Sequence, residues 1–482
     1  MEFTVISHAG LSVESGDVSL LMDPWLIGSC YWRSWWNLPE PSPELVESLA
    51  PTHIYLTHLH WDHFHGPSLR RFPKDTQMLV PECHTDRMVR DLEYLGFTNI
   101  RELRHGEAVD LGGLTVEPHI FGQLNDSALV ITDGTTTLLN ANDCKIFGYP
   151  LDHLTKRHPN IDFVFRSHSN ASAYPYCVDD FESFNPGLRS KQSYQHEFAS
   201  FALHVGARYA IPFASNHCYL HKDTVAYNDM AVSPNDVARF FEPLTEHYGG
   251  RTECVIMPPG SKWARESGFD VRPFDYDNRH EYIEKLAVER REKLEARYSD
   301  DAAATLDYGT VEGYFTDLMS KLPRSLAAKL PTIDTHVQAG DKTIDRVVLD
   351  FPNRAIRRVS LDAQPGAQAI LYCDAAVLND CAAYHMFSVW SASKRLRFTV
   401  DRSAGGDLTQ ILRFLRILDL YELDYLPLRK IMSPRSLKAR APRWREALQL
   451  AEVGWRVKVR RSGRLDVVDY FDVDGERVPA LV

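Results

Sequence analysis

The chain has 482 residues, a formal net charge of −11, and 44% hydrophobic and 25% charged side chains. That length exceeds one ordinary core and predicts two or three domains of a globular protein. The acidic balance argues against nucleic-acid binding, because phosphate contacts require clustered Lys and Arg.

No apolar run approaches bilayer length, and Met1-Glu2-Phe3-Thr4-Val5-Ile6 has no basic stretch followed by an apolar one. The expectation is a cytoplasmic protein with no membrane partner. Its eight cysteines lie singly, without a C-x-x-C pair. They read as reduced thiols rather than an iron–sulfur or structural zinc module.

From the N-terminus, strand-like runs at 3–6, 11–14 and 18–22 lead to Asp23-Pro24-Trp25-Leu26-Ile27-Gly28, then to Tyr31-Trp32-Arg33-Ser34-Trp35-Trp36. Tryptophans this dense either wall a cavity or pack into a core. A β-branched and aromatic run at 52–56 delivers Thr57-His58-Leu59-His60-Trp61-Asp62-His63-Phe64-His65-Gly66 as the loop entering the next helix. The pattern H-x-H-x-D-H sets four metal-binding side chains in six positions. Packing gives no reason for that arrangement, whereas imidazole and carboxylate are the ligands preferred by Zn²⁺, Fe or Mn. His58 and His60 are expected to serve one ion, with Asp62 and His63 turning toward a second.

Downstream, a helix at 67–72, a strand at 77–80 and an amphipathic helix at 85–95 ending at Gly96 predict an α/β layered domain. Strand-rich segments at 113–121 and 128–139 run into Asn140-Ala141-Asn142-Asp143-Cys144. A strand at 163–165 leads to Arg166-Ser167-His168, and one at 208–213 empties into Ala214-Ser215-Asn216-His217-Cys218-Tyr219-Leu220-His221. A charged helical run follows at 270–301, and strands and helices return from 331. The predicted organisation is a metal domain over 1–265, a charged helical linker over 266–330 and a smaller α+β domain over 331–482.

Two ions need further ligands. Asp143, directly after an apolar strand, is the natural carboxylate bridge, and the neutral amide of Asn142 offsets divalent charge less well. For the first ion His119 is preferred, with Glu117 on the same strand face and Asp126 as alternatives. For the second, His217 is preferred over His221. His168 and His221 are placed as acid/base groups beside Asp62. His8 and His65 are placed as outer groups that orient ligands.

With those residues in place, the chain resembles the metallo-β-lactamase fold: His58, His60, Asp62 and His63 match its signature and Asp143 its bridging aspartate. The resemblance implies an αββα sandwich with a dinuclear site at one edge. Asp23 to Gly28, Trp35-Trp36, Asn140 to Cys144 and Pro212-Phe213-Ala214 are similar to the corresponding part of CMP-N-acetylneuraminate hydroxylases. Those enzymes also carry a Rieske iron–sulfur domain with paired cysteines and histidines. None is visible in this sequence, so electrons are expected from a separate protein or from the substrate.

The function expected first is a diiron oxygenase that uses O₂ to hydroxylate or N-oxygenate a small molecule. The alternative is a zinc or manganese hydrolase of an ester, lactone or phosphodiester. An intact ligand set argues against a vestigial binding module. Residues 429–464 hold twelve Lys or Arg against two acidic residues, interleaved with Trp444 and Trp455. This segment is expected to act either as an attractor of a phosphorylated substrate, an acidic carrier domain or an electron donor, or as a solvated helical face.

Overall fold

The computed structural model describes residues 1–184, 190–247, 249–460, 472–473 and 476–477. Two mixed sheets face each other. The first has eight strands in the order Gly268–Asp270, Lys262–Ala264, Glu2–Val5, Leu11–Ser15, Val18–Met22, His53–Tyr55, Gln77–Pro81, Ile100–Leu103. It is antiparallel through Val18–Met22 and parallel beyond. The second has seven strands and makes the same change of direction: Val109–Asp110, Thr115–Phe121, Asp126–Thr132 and Thr137–Asn142 are antiparallel, then Phe163–Arg166, Tyr209–Pro212 and Glu253–Cys254 run parallel. Parallel strands require crossovers, and the crossover helices cover the two outer faces.

Side-chain alternation then sorts each strand between two cores. On Gln77–Pro81, Leu79 points between the sheets with Phe3, Val13, Val116 and Phe165. Its neighbours Met78 and Val80 point outward against Met88 and Leu92 of the Arg87–Tyr94 helix. On Asp126–Thr132, Leu129 and Ile131 point inward, while Ala128 and Val130 point outward toward Leu151, Phe198 and Phe241 of the helices Tyr149–Arg157, Lys191–Val205 and Pro234–His247. The result is the αββα sandwich that the motif resemblance implies. Among the described residues no helix is long and apolar enough to cross a membrane.

A five-stranded sheet, Ala355–Val359, Lys342–Asp350, Thr332–Ala339, Ala369–Asp374 and Leu396–Val400, builds the rest with helices Ala375–Tyr384, Phe387–Ser393 and Leu408–Glu422. Its core is continuous with the sandwich: Leu371, Trp390 and Phe398 belong to the same apolar cluster as Trp25, Tyr31, Trp35 and Tyr219. The charged helices Arg279–Glu289 and Arg291–Ala303 bury Ile283, Leu286 and Leu294 against Trp36, Leu38, Cys218 and Leu220. The last long helix, Trp444–Arg460, returns to the sandwich, where the Gln449 side-chain oxygen accepts the Tyr149 backbone N–H at 2.9 Å.

The basic segment at 429–464 therefore behaves differently from a free patch, although its residues 461–464 lie outside the described ones. Lys430 pairs with Asp424, Arg435 with Glu102, Lys438 with Glu82, Arg443 with Glu446 and Arg456 with Glu452. Trp444 and Trp455 remain half exposed.

Candidate metal centre

The centre lies where the parallel strands of both sheets end. Asp23, directly after Val18–Met22, takes a left-handed backbone (φ 43°) that turns its carboxylate back across the sheet edge. Its oxygens accept the Thr57 backbone N–H at 2.8 Å and the Thr57 hydroxyl at 2.7 Å, and Oδ2 lies 2.8 Å from His63 Nδ1. That contact fixes the His63 ring so that Nε2 faces inward, 3.2 Å from Asp143 Oδ2 and 3.4 Å from Asp62 Oδ2. Thr57 Oγ1 also lies 3.0 Å from His58 Nδ1, leaving His58 Nε2 to meet His60 Nδ1 at 2.9 Å.

Asp62 is held from the other side. The Tyr31 hydroxyl donates to its Oδ1, and His8 Nε2 lies 2.9 Å from its Oδ2. Tyr31, Trp32 and Arg33 all have positive φ (55°, 56° and 68°), and this left-handed run places Tyr31 over the motif. Asn142 is turned away: its amide donates to Ser127 O at 3.1 Å and its Oδ1 accepts the Asp143 N–H.

Two overlapping ligand groups result, His58–His63–Asp143 and His8–Asp62–His63, each with its ligand atoms within 4.8 Å of one another. His63 is common to both. His8, His58, Asp62 and His63 are essentially buried. Although burial opposes it, the carboxylates of Asp62 and Asp23 hold His63 above its usual range. Against the same burial, His63 holds Asp62 and Asp143 below the ordinary carboxylate range. Burial, followed by the charge of His63, pushes His58 down. A cation requires deprotonated ligands, so its binding would displace the proton that His63, common to both groups, otherwise holds. Cys144, beside Asp143, turns away from the centre: its thiol packs in the outer apolar layer and donates to Asp126 O at 3.5 Å, and burial followed by the charge of Asp126 pushes it up to about 12. This buried, convergent set of imidazoles and carboxylates fits two divalent ions.

The other predicted residues divide. The Oδ1 of Asp126 makes no hydrogen bond, and burial followed by the charge of Asp143 pushes its carboxyl up to about 7. Of the three alternatives for the first ion, Asp126 is therefore the one that feels this centre. His119 and Glu117 are not brought to it. They project from the outer face of Thr115–Phe121, with Phe121, and the His119 Nε2 lies 3.0 Å from Glu117. Apolar residues cover both faces of that sheet, so sequence alternation pairs the two residues correctly but cannot tell which face they share.

His217 stacks on Trp35 (centroids 3.5 Å apart) and its Nε2 meets Tyr219 Oη at 3.2 Å, with its ring 5.3 Å from His8. It borders the His8 side of the centre and belongs to neither ligand group. His168, pushed down to about 3 by burial, is also influenced by His8. His221 is not brought in: it accepts the Asp223 N–H at 3.2 Å and its Nε2 lies 3.4 Å from Asp301. His65 binds Ser68 Oγ at 2.7 Å, and Ser68 in turn accepts the Leu26 N–H, which fixes the loop after Asp23.

Sequence reasoning did not anticipate the roles of Asp23, Thr57 and Tyr31. Asp23 carried one signal, a carboxylate placed directly after a strand and before Pro24. It also missed Lys394, delivered by the five-stranded sheet's helices. This buried amine donates to Tyr219 Oη at 2.5 Å and to Ala171 O at 3.0 Å, and burial pushes it down to about 7.

The sandwich and the position of the His-x-His-x-Asp-His loop define a protein with the metallo-β-lactamase fold. No protein-family model matches the chain. Over 389 residues, 74% of this chain and 73% of the relative, it is 28% identical to a protein of Mycolicibacterium smegmatis described as a Rieske 2Fe-2S iron–sulfur protein. It is 30% identical over 155 residues, 30% of this chain and 26% of the relative, to the cytidine monophosphate-N-acetylneuraminic acid hydroxylase of Mus musculus. Among solved structures, it is similar to an isothiocyanate hydrolase from Delia radicum gut bacteria (19% identity, TM-score 0.40, 55% of this chain and 99% of that one). It is also similar to CmlA, a diiron beta-hydroxylase from Streptomyces venezuelae (16% identity, TM-score 0.37, 53% of this chain and 52% of that one).

Proposed function

We propose that the chain is a dinuclear iron oxygenase that hydroxylates or N-oxygenates a small molecule. The observation that carries this reading is the convergence of imidazoles and carboxylates on two adjoining points that share His63, a donor set that iron accepts as readily as zinc. The names of the similar hydroxylase and iron–sulfur proteins support the same chemistry.

His58, His60, His63, Asp62 and Asp143 would hold the two ions. When bound, iron supplies the redox chemistry of O₂. Insertion of one oxygen atom into the substrate, with the other leaving as water, consumes two electrons and two protons, so an external electron-transfer protein is part of the proposal. The chain's own residues do the remaining work. Asp23 orients His63, Tyr31 and His8 orient Asp62, and Trp25 and Trp35 pack against the His8 ring. The test is metal analysis of protein purified with iron and zinc both available, together with O₂ uptake during turnover. Two irons per chain and stoichiometric O₂ consumption are expected; zinc alone and no O₂ uptake would overturn the proposal.

One observation favours a hydrolase as second reading. Asp62, kept ionised and held at both oxygens, is placed to orient a water nucleophile. Turnover with O₂ excluded, and ¹⁸O from labelled water in the product, would establish it.

A further inference from the structure

The outer face of Thr115–Phe121 carries a second group of ligand atoms, remote from the His58 loop in role and partners. Glu117 and His119 project together from this face, since alternate residues of a strand share a side. His158, the residue that ends the Tyr149–Arg157 helix, closes over them. Ligand atoms of the three lie within 4.8 Å of one another. His119 Nε2 is 3.0 Å from Glu117 Oε1, and His158 Nε2 is 3.5 Å from Glu117 Oε2. His119 is 2% exposed and Glu117 3%. Neither histidine Nε2 makes an aligned hydrogen bond to the carboxylate oxygen it faces. Buried ring nitrogens are rarely left in that state, and two aimed at one carboxylate imply a shared ligand.

We propose that Glu117, His119 and His158 form a separate binding site for a borderline divalent cation, Zn²⁺ above all. Two imidazoles and a carboxylate are a zinc donor set. Ligands about 2.0–2.1 Å from a tetrahedral zinc lie ~3.3 Å apart, and each histidine Nε2 stands near that distance from one of the two Glu117 oxygens, at 3.0 and 3.5 Å. Mg²⁺ and Ca²⁺ prefer oxygen donors and are excluded by the same set. Arg157 stands over the same carboxylate, its half-exposed guanidinium Nε reaching both Glu117 oxygens, at 2.9 and 3.0 Å. Arg157 competes with a cation for this carboxylate and, being half exposed, can turn out to solvent when the ion enters. The bound ion would tie the C-terminal end of the helix that follows Asp143 to the sheet beneath it.

The test is zinc uptake by the metal-free full-length protein at a series of buffered free-zinc concentrations. His158→Gln should bind one zinc fewer than the wild type. Its position at a helix end, 20% exposed in its side chain, lets the substitution leave the core intact. Arg157→Gln should bind that same zinc about ten-fold more tightly by removing the competing charge. His58→Ala should lose zinc from the centre described above and keep this one, so the two sites fail separately. Equal zinc uptake by wild type, His158→Gln and Arg157→Gln at every concentration would overturn the proposal.

Discussion

Asp23 governs the geometry of the centre without being one of its inward-facing ligands. A single carboxylate binds Thr57 twice and His63 once, so it sets both the start of the motif loop and the tautomer of its last histidine. Asp23→Asn should keep the fold and weaken metal binding about 10–100-fold, measured by competition with a chelator. Unchanged affinity would show that His63 is held by packing alone. Lys394 gives a second test at this scale. Its folded-state pKa of about 7 lies below the ~10.4 of an unfolded lysine, so the unfolded chain binds more protons between those values. The contribution of Lys394 to stability is present at high pH and is lost as pH falls through about 7. Denaturant unfolding should therefore show wild type gaining on Lys394→Met from pH 7 to pH 9.5, by about 1.4 kcal/mol per pH unit at most. A pH-independent difference would contradict it. His58, His60, Asp62, His63 and Asp143 were legible because spacing and strand ends place them locally. His8 was legible as an orienting group, whereas Asp23 and Tyr31 were not, because their partners lie thirty to forty positions away and depend on how two strand ends meet.

Between residues and fold, the loop joining Thr115–Phe121 to Asp126–Thr132 shows how an element is fixed from afar. Arg443 donates to Asn125 Oδ1 and Gly122 O, both at 2.8 Å, and Glu446 accepts the Gly122 N–H at 3.0 Å. Tyr425 adds a hydrogen bond to Gln123 O at 2.8 Å. Both Gly122 and Asn125 have positive φ, so this loop conformation is held by its partners as much as by its own sequence. Arg443→Ala leaves buried Glu446 without its cation and should cost about 3 kcal/mol in urea unfolding. It should also lower metal occupancy by freeing Asp126, an effect that surface substitution at Arg445 should not reproduce. The helices and strands of this region were legible from periodicity, and the 128–139 segment resolves into two strands around a turn where Asp133 Oδ1 accepts the Thr135 and Thr136 N–H groups. The purpose of the basic segment was not legible. Asp424, Glu446 and Glu452 are local partners of Lys430, Arg443 and Arg456, whereas Arg435 and Lys438 pair with Glu102 and Glu82, more than three hundred positions away.

At the scale of the whole molecule, Arg395 joins what the sequence divides. Its guanidinium, fully buried, reaches Asp301 at 2.7 Å, Asp374 at 2.6 Å and Trp32 O at 3.1 Å. Arg395→Met removes the shared cation from two buried carboxylates and should cost about 3–5 kcal/mol, read as a lower Tm. Because Lys394 and the Trp35–His217 stack lie beside it, metal retention should fall in the same variant; a centre that survives intact would show that the two parts are energetically independent. The apolar cluster common to Trp25, Trp35 and Tyr219 on one side and Leu371, Trp390 and Phe398 on the other has a practical consequence. Cleavage of the peptide chain between sandwich and five-stranded sheet would cut a covalent thread while leaving the shared oil intact. The two fragments should then co-elute as one particle, and neither expressed alone should stay in solution.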